Sequence, residues 1–278
     1  MQILRKAFSI IFCVCIKQFV YSSNIDSFTG AYEAGMSNAS VSLPGIWPGY
    51  NNPAGIVFSE TPVVAICYQN RYCLPELSTT STAAIIPQGK GAFGISMSYF
   101  GTSRYNEQKY AAGYACKLSK KIQAGVMLNY FNAKLPSEYN TTHTLTGEIG
   151  VLAQPANKLN VGVHVFNITN SKYQNYTDEC LPLYFQIGAS WIDETFTISS
   201  QVQLNRQQST ILSVGAELPL VESLFFRAGV SSSEETYYSF GFGYNLNWLD
   251  FNIAFTHHPI LGFSSFVSLQ YHIGKSKL

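Results

Sequence analysis

The sequence predicts an all-β protein, a transmembrane antiparallel β-barrel of about 14 strands, on three observations. The first is composition. Charged residues fill 12% of the 278 positions, about half the share usual in a soluble domain, while aromatics reach 14%. Mean hydropathy is only +0.06, far from that of a helical membrane protein. A polar inner face diluting an apolar outer face gives this combination. The second is alternation. In 183–191, Leu183, Phe185, Ile187, Ala189 and Trp191 fall on one face of an extended chain, and Tyr184, Gln186, Gly188 and Ser190 on the other. A tilted strand crosses a bilayer in about nine to eleven residues, which this stretch matches. The third is repetition: such runs recur an even number of times, as closure of a bacterial barrel requires.

In chain order, residues 1–23 read as a signal peptide. Arg5 and Lys6 form a basic start, and an apolar run over 7–16 is too short to span a bilayer. Small residues place cleavage near Ser22 or Ser23. Removing Arg5, Lys6 and Lys17 with this leader leaves 14 basic and 16 acidic residues, so the formal charge passes from +1 to −2. That balance gives no electrostatic case for a nucleic-acid partner.

Residues 24–60 have a different texture, rich in Gly, Ser, Asn and Pro, without strand alternation and with only a weak helical hint. Asn52-Pro53-Ala54-Gly55 is a turn signal, since proline fixes one dihedral and Asn-Pro initiates turns. Small residues let backbone approach backbone. Such a segment builds a poor core of its own and suits a cavity made by other residues. The small-residue stretch Gly35–Val41, followed by Asn52-Pro53-Ala54-Gly55 and then a strand-rich remainder, resembles the FadL-type outer-membrane family, including its PorV/PorQ-like branch. The resemblance implies that 24–60 folds as an N-terminal plug inside a fourteen-stranded barrel formed by 61–278.

Independently of that resemblance, alternating runs lie near 61–71, 78–88, 91–101, 108–118, 122–134, 142–153, 159–168, 181–191, 195–204, 210–218, 223–231, 236–246, 249–257 and 263–273. Connections alternate between short (88–90, 119–121, 154–158, 192–194) and longer (102–107, 135–141, 170–180). Short periplasmic turns and longer outer loops are the expected asymmetry, which puts both termini on the periplasmic side. Phe93, Ile95, Met97 and Tyr99 alternate with Gly94, Ser96 and Ser98; Leu212, Val214, Ala216 and Leu218 alternate with Ser213, Gly215 and Glu217. Tyr99, Tyr110, Trp191 and Tyr271 fall near strand ends, where aromatic girdles sit. A secreted β-sandwich would alternate too, but with more charge on its wet face.

Four cysteines remain after the leader. Cys67 and Cys73 either bridge a loop or stay free, and Cys116 faces lipid; Cys180 completes the set, in neither a disulfide-dense nor a metal spacing. No nucleophile elbow, phosphate loop or metal-ligand spacing marks a catalytic, cofactor or metal site, so a non-enzymatic protein without cofactor is expected. The inward-facing ionisable groups are Glu148, His164, Glu217 and Arg227, with Glu148 expected opposite His164 across a turn centred near Ala156. The expected surroundings are outer-membrane lipid in a bacterial outer membrane, with other envelope proteins as partners. Short loops and a narrow Gly/Ser lumen favour an accessory or scaffold subunit of a secretion or outer-membrane protein assembly machine. The alternative is passive transport of small hydrophobic ligands that leave sideways through the wall.

Overall fold

The computed structural model describes residues 29–47, 50–134, 141–172, 181–206 and 209–274. The leader 1–23 and Cys180 lie outside them. Fourteen strands form: β1 (Val63–Asn70), β2 (Ser78–Gln88), β3 (Gly91–Gly101), β4 (Asn106–Lys117), β5 (Ile122–Lys134), β6 (Thr142–Ala156), β7 (Leu159–Phe166), β8 (Tyr184–Ile192), β9 (Thr197–Asn205), β10 (Ile211–Val221), β11 (Leu224–Ser232), β12 (Thr236–Asn245), β13 (Leu249–His258) and β14 (Gly262–His272). Each pairs antiparallel with its neighbours in chain order, and β14 returns to β1, Val63 opposite His272, to close the barrel. Closure pairs every edge, the condition for strands to sit in hydrocarbon. Among the described residues no helix is long and apolar enough to cross a membrane.

The strand boundaries depart from the sequence expectation where side chains decide them. β6 runs on to Ala156 through a register shift between Ala153 and Ala156, and β10 runs on to Val221 through one between Pro219 and Val221. Pro219 cannot donate to the ladder, and a bulge accommodates it. β8 begins only at Tyr184, because Leu181 instead packs inward with Phe131, Phe166 and Tyr184.

One end of the barrel carries the short turns 89–90, 118–121, 157–158, 193–196, 222–223 and 246–248. The other carries longer connections, among them 71–77, 135–141 and 167–183. The outer face is largely apolar: Ile95, Val126, Leu128, Ile187, Leu212, Val214 and Phe240 are all exposed, with Thr80, Thr82 and Ser200 among its polar members. Exposed Tyr68, Tyr99, Tyr110, Tyr130 and Tyr238 ring the long-loop end, and Phe93, Tyr114, Trp191, Tyr244 and Tyr271 ring the short-turn end. An apolar belt between two aromatic girdles is what a bilayer selects. Cys67, Cys73 and Cys116 are free; Cys67 is buried in the lumen wall while Cys73 is exposed in the β1–β2 connection.

The described part of 24–60 lies in the lumen. It contains a five-residue helix, α1 (Ala31–Gly35), and a 3-10 turn at Pro53–Phe58, both mostly buried against the wall. Ala31 and Ala34 pack on Ala254 and Phe266, and Trp47 and Tyr50 on Ala65, Cys67 and Ala83.

Candidate functional site

The lumen is layered along the barrel axis. Its middle layer is where the N-terminal segment meets the wall, and glycines make that meeting possible. Gly125 of β5 stands directly opposite Gly150 of β6, Gly162 of β7 opposite Gly188 of β8, and Gly215 of β10 opposite Gly229 of β11. A Cβ at Gly125 would fall 2.6 Å from the Pro53 carbonyl carbon. At Gly150 it would fall 2.0 Å from Asn52 Oδ1, at Gly162 2.0 Å from the Val41 carbonyl oxygen, and at Gly215 2.4 Å from that of Met36. These are distances no side chain tolerates, so each glycine pair is a bare platform for backbone.

Asn52 is the hub. Its Oδ1 accepts from the Ala54 N–H at 3.0 Å, capping the 3-10 turn. Its Nδ2 donates to the Val41 carbonyl at 2.8 Å and reaches the wall carbonyls of Val151 at 3.1 Å and Val163 at 3.3 Å. Pro53 opens the turn with a fixed dihedral, Ala54 is fully buried, and Gly55 lets the chain cross itself, since its Cβ would sit 2.9 Å from the Gly45 nitrogen. Inward polar side chains serve the segment's backbone elsewhere. Gln201 Oε1 accepts from the N–H groups of Ser40 and Val41, Ser190 donates to the Ser42 carbonyl, and Ser239 donates to the Gly35 carbonyl.

Towards the long loops, a polar ladder crosses five strands. Asn129 donates to Glu148 at 2.6 Å, Glu148 meets His164 Nε2 at 2.6 Å, and His164 Nδ1 meets Gln186 at 2.9 Å. Gln186 donates to Gln203 at 2.7 Å, and Gln203 to Asn205 at 2.9 Å. Glu148 and His164 are therefore neighbours, but diagonal ones. Glu148 stands opposite Phe166, and His164 opposite Gly150, because the turn lies at 157–158 and not at Ala156; the register shift at Ala153/Ala156 takes back one residue of that offset. Lys109 lies 4.2 Å from the ring centre of Tyr50, 5.2 Å from that of Phe166 and 5.3 Å from that of Phe131. The apolar cluster of Phe131, Phe166, Leu181 and Tyr184 stands beyond the ladder.

Towards the short turns the lumen opens into a cavity of about 420 Å³. Glu217 and Arg227 face each other across β10 and β11 and lie in its lining. Arg227 Nε donates to Glu217 at 2.5 Å, Nη1 donates to Asn252 at 2.8 Å, and the guanidinium stacks 4.3 Å from the Tyr32 ring centre. The pair Asp250–His272, 2.8 Å apart, lines the same cavity, as do Glu33 and Asn245. The structure thus splits the four inward ionisable groups read from the sequence into two separate pairs on opposite sides of the N-terminal segment.

Lys109, Asp250, His272 and Glu33 escaped the sequence reading. Asp250 and His272 alternate with outward Phe251 and Tyr271, a pattern that could have placed them inside; Glu33 sits in a stretch with no period to read. Among the described residues, no group of three His, Cys, Asp or Glu side chains could hold a metal. Strand pairing is continuous around the wall, so an exit sideways through it meets no gap among the described residues.

No protein-family model and no curated protein sequence matches the chain. Solved structures do. A FadL homologue from Pseudomonas aeruginosa superposes with TM-score 0.66 at 11% identity, over 88% of this chain and 98% of that one. A monoaromatic hydrocarbon channel, CymD, superposes with TM-score 0.68 at 11% identity, over 91% and 99%. The toluene transporter TodX of P. putida superposes with TM-score 0.64 at 11% identity, over 90% and 99%. At such identities the likeness is one of fold: this is a fourteen-stranded barrel of the FadL-like kind.

Proposed function

We propose that the chain is a passive outer-membrane channel for small, largely apolar molecules, with residues 24–60 as its internal plug and no chemistry of its own. The observation that carries this reading is the layering of the lumen. An apolar cluster lies at the long-loop end, a segment held on glycine platforms fills the middle, and a cavity opens at the short-turn end. A molecule entering past Phe131, Phe166 and Tyr184 would reach that cavity once the segment moves. With the wall closed, passage runs along the lumen rather than sideways. The structures similar in fold are described as channels or transporters of monoaromatic hydrocarbons and toluene, which supports transport. They support an accessory subunit, or a place in the PorV/PorQ-like branch, less. In this reading the short turns face the periplasm of a bacterial cell.

The test is initial uptake of labelled toluene by Gram-negative cells that lack a hydrocarbon channel, with and without the protein in their outer membrane. Faster uptake with the protein supports the channel. Unchanged uptake, with envelope proteins co-purifying in stoichiometric amount, would return the accessory-subunit reading.

A further inference from the structure

The rim formed by the short turns is divided by charge. Along one arc, the turns β2–β3, β4–β5 and β6–β7 with their flanking residues, 88–92, 117–123 and 154–159, carry Lys90, Lys117, Lys120, Lys121 and Lys158 and no Asp or Glu. All five lysines are exposed. Along the rest, Asp193, Glu194, Glu222 and Asp250 stand in or beside the turns β8–β9, β10–β11 and β12–β13, with no Lys or Arg among them, and Glu60 leads into β1. Backbone bonds hold the basic turns side by side. Lys117 donates its N–H to the Lys90 carbonyl at 2.9 Å, and Gln154 donates to the Lys121 carbonyl at 2.8 Å. Lys121 Nζ donates to the Pro155 carbonyl at 3.3 Å. The row crosses six neighbouring strands, about 24 Å of rim at the usual strand spacing. Lys158 at its end pairs with Asp193, and among the described residues no carboxylate pairs with the other four. Apolar side chains share the row. Leu118, in the same turn as Lys120 and Lys121, is 65% exposed, and Ile86 of β2 and Ile122 of β5 are exposed too. Phe93 and Tyr114, 4.8 Å apart across β3 and β4, belong to the aromatic girdle and lie three residues in from Lys90 and Lys117. The lysines therefore stand just past the girdle, at the depth where a bilayer carries its headgroups.

We propose that this arc binds anionic phospholipid headgroups, with Lys90, Lys117 and Lys120 meeting the phosphates and Leu118 the adjoining acyl chains. Charge complementarity names the class, since clustered lysines beside a spanning segment attract anionic lipid. The exposed Leu118, Ile86 and Ile122 favour lipid over an acidic protein, because a bilayer surface offers phosphate and hydrocarbon together at that depth. The acidic part of the rim repels the same lipids, so the anionic ones gather on one side of the barrel. The inference goes beyond transport and holds whether or not toluene passes.

The test is native mass spectrometry of the full chain, released from neutral-detergent micelles that hold equal amounts of a phosphatidylglycerol and the phosphatidylcholine with the same acyl chains. The wild type is expected to retain phosphatidylglycerol over phosphatidylcholine by about threefold or more. That preference should vanish in the triple variant Lys90→Gln, Lys117→Gln, Lys120→Gln and persist in Lys134→Gln, at the long-loop end of β5. If the triple variant fails to fold, the wild type decides alone: its preference should fall as the salt in which the micelles are prepared rises from about 0.01 M to about 1 M. Equal retention of the two lipids, a preference that survives the triple substitution, or one indifferent to salt would overturn the proposal. Salt-dependent binding of polyglutamate without any lipid preference would overturn it too, and would give the arc to an acidic protein partner.

Discussion

On the outside of the wall, Ile95 and Met97 of β3, like Leu212, Val214 and Leu218 of β10, are exposed. On the inside, Gly125, Gly150, Gly162, Gly188, Gly215 and Gly229 sit in matched pairs beneath Pro53, Asn52, Val41 and Met36. Both faces belong to the same strands and come from the same two-residue period. The difference lies in the solvent each meets. Hydrocarbon accepts any apolar side chain, so the outer face is specified by polarity alone. The inner face meets one particular backbone, so it is specified atom by atom. Changes that break polarity should therefore hurt outside, and changes that only add volume should hurt inside.

The largest effect is expected from Ile187→Arg. Its side chain is exposed on the outer face near the middle of β8, and a charge there should cost about 2–4 kcal/mol in liposome unfolding, while Ile187→Leu costs almost nothing. Next comes Gly162→Val, which adds no polarity but drives a side chain into the Val41 carbonyl. It should destabilise by about 1–3 kcal/mol and make the segment 29–47 susceptible to protease, whereas Val161→Leu on the neighbouring outward position should do neither.

A third prediction concerns pH. Glu33 lies on α1, outside the spanning strands, and burial pushes its carboxyl up to about 7, against partial relief from Arg227 and Asn51. A raised carboxyl pKa means that the folded state prefers the proton. The contribution of Glu33 to docking is fully present below the ordinary carboxylate range and is lost as pH rises through about 7. Hydrogen exchange of 31–47 should therefore quicken between pH 5 and pH 8 by an opening free energy of roughly 1–3 kcal/mol. Glu33→Gln should flatten that dependence; a dependence unaltered in Glu33→Gln would remove Glu33 from the account. The smallest effect is the coupling of Glu148 and His164. Single truncations to alanine should be less than additive in the double variant, by about 0.5 kcal/mol or more, and strict additivity would mean that the 2.6 Å contact carries no energy.

The strands were legible in the sequence because one face is apolar and the period is two; each of the fourteen lies within a few residues of where alternation puts it. Asn52-Pro53 announced a turn because proline and Asn restrict their own backbone. What could not be read depends on partners remote in sequence. The diagonal placing of Glu148 against His164 follows from the β6–β7 turn falling at 157–158, with the bulge at Ala153/Ala156 taking back one residue of the offset, and nothing in those residues announces either. The glycine platforms look like ordinary small inward residues until strand register sets Gly162 against Gly188 and the segment against both. Glu33 has no period around it, and only the closed barrel shows that it is buried beside a cavity.

The central proposal is that the segment carrying Met36, Val41, Asn52 and Pro53 plugs the lumen through these platforms. Single-channel recording in planar bilayers tests it most directly, comparing the wild type with a deletion of 25–49 and with Gly162→Val, which leaves the chain whole. The account predicts little conductance from the wild type, a steady pore from the deletion and intermittent openings from Gly162→Val. A wild type that conducts as a wide, steady channel would contradict it.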